Sequence, residues 1–410
     1  MSDRVKLKSP AGSDPHPREA NQFRVLVVAD HFEPGYRAGG TVRTIVDMVS
    51  GAGRHVAVTV LTRDRDLGVS APYPGLSGRW GEHGRSAVFY LDPRRPAQWW
   101  NFWRRIRRTR VDVLSLNSVW SPFMVIPVLA ARLRFLPVGR ILITPHGELE
   151  PGALGIKRRK KRLYLTVWRW MLRGRRVLWN ATTPMEVAGI RNMVSATARI
   201  AVVTEPTGPE PAEPPARAAE EGPARLVFIS RISAMKNLDL VLAALALVPT
   251  AVRLDIFGPR ADEAYWRDCE RLMAALPDHV RVTYGGELHP QQVRETFARY
   301  DAFVLPTRGE NFGHVIAESL SVACPVICSD RTPWTDVLQA GGGVVVAELT
   351  PARLAERIEQ VASMSAAQRH TARLAAAKAY RGWYERGGRT NVLDQVCAML
   401  RPSDRVAGRD

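Results

Sequence analysis

The sequence predicts an α/β protein of two doubly wound domains, each a parallel sheet with helices on both faces. Three observations lead there. Short β-branched runs alternate with helical patterns from Phe23 onward, the rhythm breaks at a Pro/Glu-rich stretch, and a second series of the same kind follows. The 410 residues suit two domains at about 100–200 residues each. An apolar content of 46% is enough for two cores.

In the first series the strand candidates are "FRVLVVAD" (23–30), "HVAVTVLT" (55–62), "SAVFYLD" (86–92), "VDVLSLN" (111–117), "GRILITP" (139–145) and "RVLWNAT" (176–182). "GTVRTIVDMVS" (40–50) reads as a helix. The pattern stops at residues 204–224, which hold six prolines and five glutamates and read as a solvated linker. The second series comprises "RLVFIS" (225–230), "VRLDIFG" (252–258), "VRVTYGG" (280–286), "AFVLP" (302–306), "PVICSD" (325–330) and "GGVVVAE" (342–348). Helical patterns such as 237–248 and 291–300 separate these strands, and 350–400 reads as two or three helices. The expected organisation is therefore a disordered leader (1–21), an N-terminal domain (22–203), the linker (204–224), a C-terminal domain (225–385), and a C-terminal helix and tail (386–410). Whether that last helix packs back on the N-terminal domain is left open. In doubly wound sheets ligands bind at the carboxyl ends of the strands, so a cleft between two such domains is the expected site.

Composition narrows the partners. With 58 Lys and Arg against 40 acids the chain carries +18, which suits polyanionic company or a generally arginine-rich solvated surface. Four cysteines (269, 324, 328 and 397) are too few for a disulfide framework and form no zinc-ligand pattern. A reducing, cytoplasmic setting is expected. The first 22 residues lack the apolar core of a secretory signal, and no apolar run approaches the ~18 residues of a membrane span.

"RGENFGHVIAES" (308–319) places Glu310 and Glu318 eight residues apart behind a strand. At helical rise that separation is about 12 Å, too long to share a proton or to flank one bond at the ~5–9.5 Å of glycosidase pairs. Contacts to two ends of one elongated ligand fit the spacing; so do a helix-capping glutamate and a solvated loop. Gly313 opens the following helix, whose N–H groups and dipole attract an anion. "SRISAMKN" (230–237), another strand-to-helix loop, supplies Arg231 and Lys236 for phosphate oxygens. A diphosphate with a hydroxyl-rich group at either end describes a nucleotide-sugar.

"SRISAMKNLD" followed by "GENFGHVIAES" resembles the retaining glycosyltransferases of the group 1 (GT4) family, over about residues 24–385. The resemblance implies GT-B architecture: two doubly wound Rossmann-like domains with an interdomain cleft. It implies that Glu310, with Asn311, Phe312 and Gly313 around it, meets the donor sugar, that Glu318 meets the nucleoside ribose, and that Arg231 and Lys236 bind the diphosphate. "PGYRAGGTVRTI" (34–45) is similar to the family's glycine loop, where Gly39 and Gly40 let backbone approach phosphates and acceptor. "ITPHGELEPGAL" (143–154) is also family-like and would put His146 under the donor sugar as a catalytic residue; read alone, a lone histidine at a strand end is more often a structural or surface residue. "LTRDRDLG" and "TPWTDVLQAGGG" resemble members that build bacterial exopolysaccharide or O-antigen. The implied reaction is transfer with retention by front-face attack, from a UDP- or GDP-type sugar to a glycan or polyprenyl-diphosphate-linked acceptor. No cofactor and no metal are expected, because the cations neutralise the leaving group. Other GT-B chemistry, such as epimerisation or phosphorolysis, is the alternative enzyme reading.

Residues 157–176 hold ten basic residues and no acid. On a wheel of roughly 100° per residue Arg158, Arg162, Arg169 and Arg173 share one sector, opposite Leu163, Tyr164, Val167, Trp170 and Met171. "WWNFWRRIRR" (99–108) sets aromatics beside arginines. Two readings stand: peripheral docking on the anionic inner face of the cytoplasmic membrane, or core packing beneath a solvated face. No dedicated nucleic-acid module is visible, so nucleic acid is not an expected partner, although a non-enzymatic basic scaffold is the contrasting class.

Overall fold

The computed structural model describes residues 6–7, 22–107, 109–149, 164, 166, 168, 170–172, 176–203, 208–215, 221–386 and 391–400. The chain forms two compact units, Met1–Pro206 with Arg389–Asp410, and Thr207–Gly388.

Unit 1 runs β1 (Lys6–Leu7), β2 (Phe23–Ala29), α1 (Gly40–Ser50), β3 (Val56–Arg63), β4 (Trp80–His83), β5 (Ser86–Leu91), α2 (Pro96–Ile106), β6 (Val111–Leu116), α3 (Val125–Arg132), β7 (Val138–Ile143), β8 (Val177–Ala181), α4 (Pro184–Met193) and β9 (Ile200–Val202). Its sheet order is β1-β4-β5-β3-β2-β6-β7-β8-β9. All pairs are parallel except β1–β4 and β4–β5. The central strand β2 is buried on both faces: Leu26 and Val28 join the layer of α2 and α3, while Val25, Val27 and Ala29 join that of α1. Both faces being dry is why β2 reads as an unbroken apolar run.

Three strands escape periodicity. β1, β4 and β9 are two, four and three residues long, and β4 ("WGEH") has no apolar alternation. It is a strand because the two-residue turn after His83 folds it onto β5. Lys6 and Leu7, inside the stretch expected to be a disordered leader, pair with Glu82 and Gly81; the remainder of 1–21 lies outside the described residues.

The basic amphipathic segment needs correction. Of its expected apolar stripe, Tyr164 is partly buried and Met171 buried, but Trp170 is 58% exposed and Trp168 is buried instead. Leu163 and Val167, with Arg158, Arg162, Arg169 and Arg173, lie outside the described residues. The buried arc is rotated by roughly 60° from the wheel. Tertiary neighbours set it: the Tyr164 hydroxyl donates to the Ser121 carbonyl at 3.0 Å, and its ring lies 6.0 Å from that of Trp120.

Unit 2 runs β10 (Ala224–Ile229), α5 (Leu238–Leu245), β11 (Val252–Phe257), α6 (Glu263–Ala274), β12 (Val280–Tyr284), α7 (Pro290–Phe297), β13 (Ala302–Leu305), α8 (His314–Ser321), β14 (Val326–Ser329), β15 (Gly343–Val346), α9 (Pro351–Ala362) and α10 (Ala366–Arg386). Its six strands are all parallel in the order β12-β11-β10-β13-β14-β15. Part of the expected solvated linker is docked on this unit. Ala212 N–H donates to Ser321 O, while the Pro209 and Glu210 carbonyls accept from Tyr380 and Arg294. Prolines lack N–H groups but keep their carbonyls, so such a segment still serves as an acceptor rail.

Beyond α10, α11 (Val392–Ala398) belongs to unit 1. Val392, Leu393, Val396 and Cys397 share a core with Ile45, Met48 and Val49 of α1. Asn391 donates to Met48 O at 2.7 Å, and the Asp394 carboxylate accepts from Gly53 N–H at 2.9 Å. All four cysteines are buried free thiols. Among the described residues no helix is long and apolar enough to cross a membrane.

Candidate functional site

In unit 2, β10 and β13 are adjacent although distant in sequence, and strand order runs outward from them in opposite directions. Loops at such a switch point diverge and leave a crevice. The loop after β10 carries Arg231 and Lys236; the loop after β13 carries Glu310, Asn311 and Phe312 and ends at Gly313. Lys236 Nζ donates to Glu310 Oε1. The two side chains are only 14% and 13% exposed, so residues 74 apart in sequence form one largely buried ion pair. Glu310 is therefore neither a helix cap nor a solvated loop residue. Arg231 is exposed at the end of β10.

A dense set of bonds holds these loops together. Arg308 N–H donates to Met235 O at 2.9 Å, Arg308 Nε to Asn237 Oδ1 at 2.8 Å, and Asn237 Nδ2 to Pro306 O at 2.8 Å. From the loop after β14, the Arg331 carbonyl accepts from Glu310 N–H at 3.1 Å. Trp334 Nε1 donates to Phe312 O at 2.5 Å. Phe312 and Trp334 meet edge to face, with Trp383 of α10 packed on Trp334 at 4.4 Å between ring centroids.

Gly313 is the N-cap of α8 at φ 81°, a left-handed conformation that suits glycine. No side chain caps this helix, whose N-terminal N–H groups and positive dipole end lie beside the two loops, whereas at the start of α5 the Tyr265 hydroxyl accepts from Asp239 N–H at 3.0 Å. Glu318 sits one turn and more into α8 and is buried. Among the described residues no three His, Cys, Asp or Glu side chains cluster as metal ligands would.

Unit 1 repeats the arrangement at its own switch point, β2 beside β6. Gly39, at φ 73° and ψ −138°, is the N-cap of α1, and Gly40 is its first residue; again no side chain caps the helix. The preceding loop is fastened by a residue that the sequence reading passed over. Asp66, buried, accepts backbone N–H bonds from Tyr36 (2.9 Å), Arg37 (3.1 Å) and Leu67 (2.7 Å). The neighbouring Tyr73 hydroxyl is buried without a partner, and burial together with Asp66 raises its pKa.

His146 follows β7 with φ 50°, a rare conformation outside glycine that often marks functional strain. Its Nε2 lies 3.2 Å from Asn117 Oδ1, and Asn117 Nδ2 donates to Val28 O. The amide is thereby oriented so that the imidazole Nε2–H donates. Two carboxylates brace this turn. Glu186 accepts from Gly147 N–H and Thr182 N–H, both at 2.8 Å. Glu148 accepts from Ser118 Oγ (2.8 Å) and Val119 N–H (2.6 Å), tying the loop after β6 to the loop after β7. Burial raises the Glu148 pKa despite these donors and His146 nearby. Asp66 lies in "LTRDRDLG", where two arginines match two aspartates, so its burial has no signal in the sequence.

Comparison with known proteins gives two family matches. Residues 39–205 match the model "Glycosyl transferase 4-like domain", and residues 210–379 match "Glycosyl transferases group 1". Curated relatives include the sulfoquinovosyl transferase of Arabidopsis thaliana, 28% identical over 113 residues, and the alpha-D-kanosaminyltransferase of Streptomyces kanamyceticus, 25% identical over 137 residues. Those alignments cover 28% and 33% of this chain, and only 21% and 36% of the relatives' own lengths. Solved structures with the same fold include the sucrose-phosphate synthase of Thermosynechococcus elongatus (TM-score 0.68, 19% identity, 92% of this chain and 99% of that one). Anabaena HepE in complex with UDP-glucose follows (TM-score 0.65, 15% identity, 92% and 99%). WaaG, a glycosyltransferase involved in lipopolysaccharide biosynthesis, is also similar (TM-score 0.62, 14% identity, 92% and 100%). At such identities the likeness is one of fold.

Proposed function

The chain is a member of the group 1 glycosyltransferases, with their α/β GT-B fold, and on that premise we propose that it moves a sugar, with retention, from a nucleoside-diphosphate donor to a glycan or lipid-linked acceptor. The observation that carries the donor reading is the Lys236–Glu310 pair beside the uncapped start of α8. A cation, a carboxylate and the N-terminal end of a helix converge at one switch point, which is the chemistry that a diphosphate joined to a sugar needs. In this reading Lys236, Arg231 and the helix ends take the diphosphate, Glu310 takes sugar hydroxyls, and Glu318 takes the ribose. UDP is the favoured nucleotide because HepE, of the same fold, is known with UDP-glucose.

The bond from the anomeric carbon to the diphosphate oxygen breaks as the acceptor oxygen bonds that carbon on the same face. The acceptor's proton passes to the departing diphosphate. Charge growing on the leaving group is stabilised by the two cations and by N–H groups already in place, the electrostatic contribution that usually matters most. These groups make a metal unnecessary to the reading. His146, strained and held by Asn117, is assigned to the donor-sugar side of the reaction. A role in cell-surface polysaccharide assembly, at the cytoplasmic face of the membrane, follows from the acceptor class.

A thermal-shift screen against UDP-, GDP-, ADP- and dTDP-sugars tests the donor, since ligand binding stabilises the folded state. One nucleotide class should raise Tm and be released on turnover with membrane extract as acceptor source. Glu310→Gln should abolish transfer while the protein stays folded. No shift with any nucleotide, or full turnover by that variant, would sink the assignment.

A further inference from the structure

We propose that unit 1 carries a bilayer-docking surface formed by Trp100, Leu133, Phe135 and Trp170 and rimmed by Arg104, Arg132 and Arg134, whose partner is a membrane rich in anionic lipid. Four large apolar side chains on this one region are solvent-exposed: Trp100 at 59%, Leu133 at 76%, Phe135 at 43% and Trp170 at 58%. Single exposed apolar residues are ordinary; a group of them is not. Ring and cation contacts knit them together. Phe135 lies 6.0 Å from Trp103, a helix neighbour of Trp100, and the Arg132 guanidinium sits 5.9 Å over the Trp170 ring. Beneath them Trp99, Phe102, Trp103, Trp168 and Met171 are core, so the patch is a raised rim on a rigid base.

Charge settles the partner. Residues 94–140 hold ten basic residues and one acid, and 157–176 hold ten and none. These two segments carry +19 of a chain whose total is +18, so the rest is within one charge of neutral. In sequence, therefore, the entire basic excess falls within the two segments that carry the exposed aromatics. Indoles at the headgroup level, an aliphatic tip below and arginines on lipid phosphates are how proteins hold an anionic interface. A single-stranded nucleic acid shares the taste for arginine and aromatics, but Leu133, the most exposed of the four, offers no ring for a base to stack on.

The surface gives a lipid-linked acceptor a place to be met, yet none of its residues belongs to the donor loops, and its test needs no turnover. Co-sedimentation of the full chain with vesicles of phosphatidylcholine alone, and of phosphatidylcholine mixed equally with phosphatidylglycerol, reads it directly. Binding to the anionic vesicles only, weakened by salt and accompanied by a blue shift of tryptophan emission, is expected. Arg104→Ala with Arg134→Ala should weaken partition about fivefold per charge. Leu133→Glu should weaken it by at least as much, while Leu247→Glu, exposed on unit 2, should leave it unchanged. Equal binding to both vesicles, binding indifferent to Leu133→Glu, or an oligonucleotide held more tightly than the anionic vesicles would overturn the proposal. Because nucleotide-induced thermal shifts are measured without vesicles, failure here and failure of the donor reading are distinguishable.

Discussion

Replacing Lys236 by methionine separates the two jobs assigned to its ammonium group. In the free protein Lys236 neutralises Glu310, and both side chains are about seven-eighths buried. Removing one partner leaves a carboxylate with little solvent to compensate it, a loss of about 3 kcal/mol for pairs of this burial. For a unit of this size that corresponds to a fall in Tm of roughly 6–12 °C. Glu310→Gln should cost a similar amount by stranding the ammonium. The double variant removes both charges and should cost only about 1 kcal/mol, giving a coupling energy of several kcal/mol where independent sites would give almost none. Donor binding behaves differently: losing a charged hydrogen bond to phosphate weakens UDP by about 10- to 150-fold in Lys236→Met and in the double variant alike. Scanning fluorimetry of the four proteins, with and without UDP, measures both effects. Additive destabilisation would refute the buried pair, and a wild-type UDP shift in Lys236→Met would refute the phosphate role.

Three further outcomes are expected. Trp334→Phe keeps an aromatic ring but removes the donor to the Phe312 carbonyl, costing about 1–3 kcal/mol and shrinking the UDP-induced shift, both read by the same fluorimetry. Asp66→Asn turns an amide N–H toward one of three backbone donors and should cost about 1–3 kcal/mol, read as a fall in Tm by the same fluorimetry, and should lower turnover by loosening the glycine loop. Glu148 has its pKa raised by burial, so the folded state holds that proton more tightly than the unfolded state; stability is therefore lost as pH rises from the ordinary carboxyl value through the folded one. Glu148→Gln abolishes that loss, so its Tm relative to wild type should climb with pH in the acidic range, and a pH-independent difference would contradict it.

What was legible in the sequence is what local spacing encodes. Strands buried on both faces announce themselves as runs such as "VLVVA" and "LVFI", and the glycines at 39 and 313 sit where a helix must begin from a left-handed residue. Tertiary structure decided the rest. "WGEH" became a strand only because β5 was there to pair with it, and the tryptophan that enters the core is 168, not 170, because Trp120 and Ser121 lie against Tyr164. Asp66, buried, and Glu148, partly buried, became loop fasteners through bonds to distant backbone and side-chain groups, which no neighbouring residue signals. Lys236 met Glu310 across 74 residues because β10 and β13 pair edge to edge. Periodicity reports which face of an element is dry; which partner covers it, and which charges it brings together, depends on contacts between residues far apart in the chain.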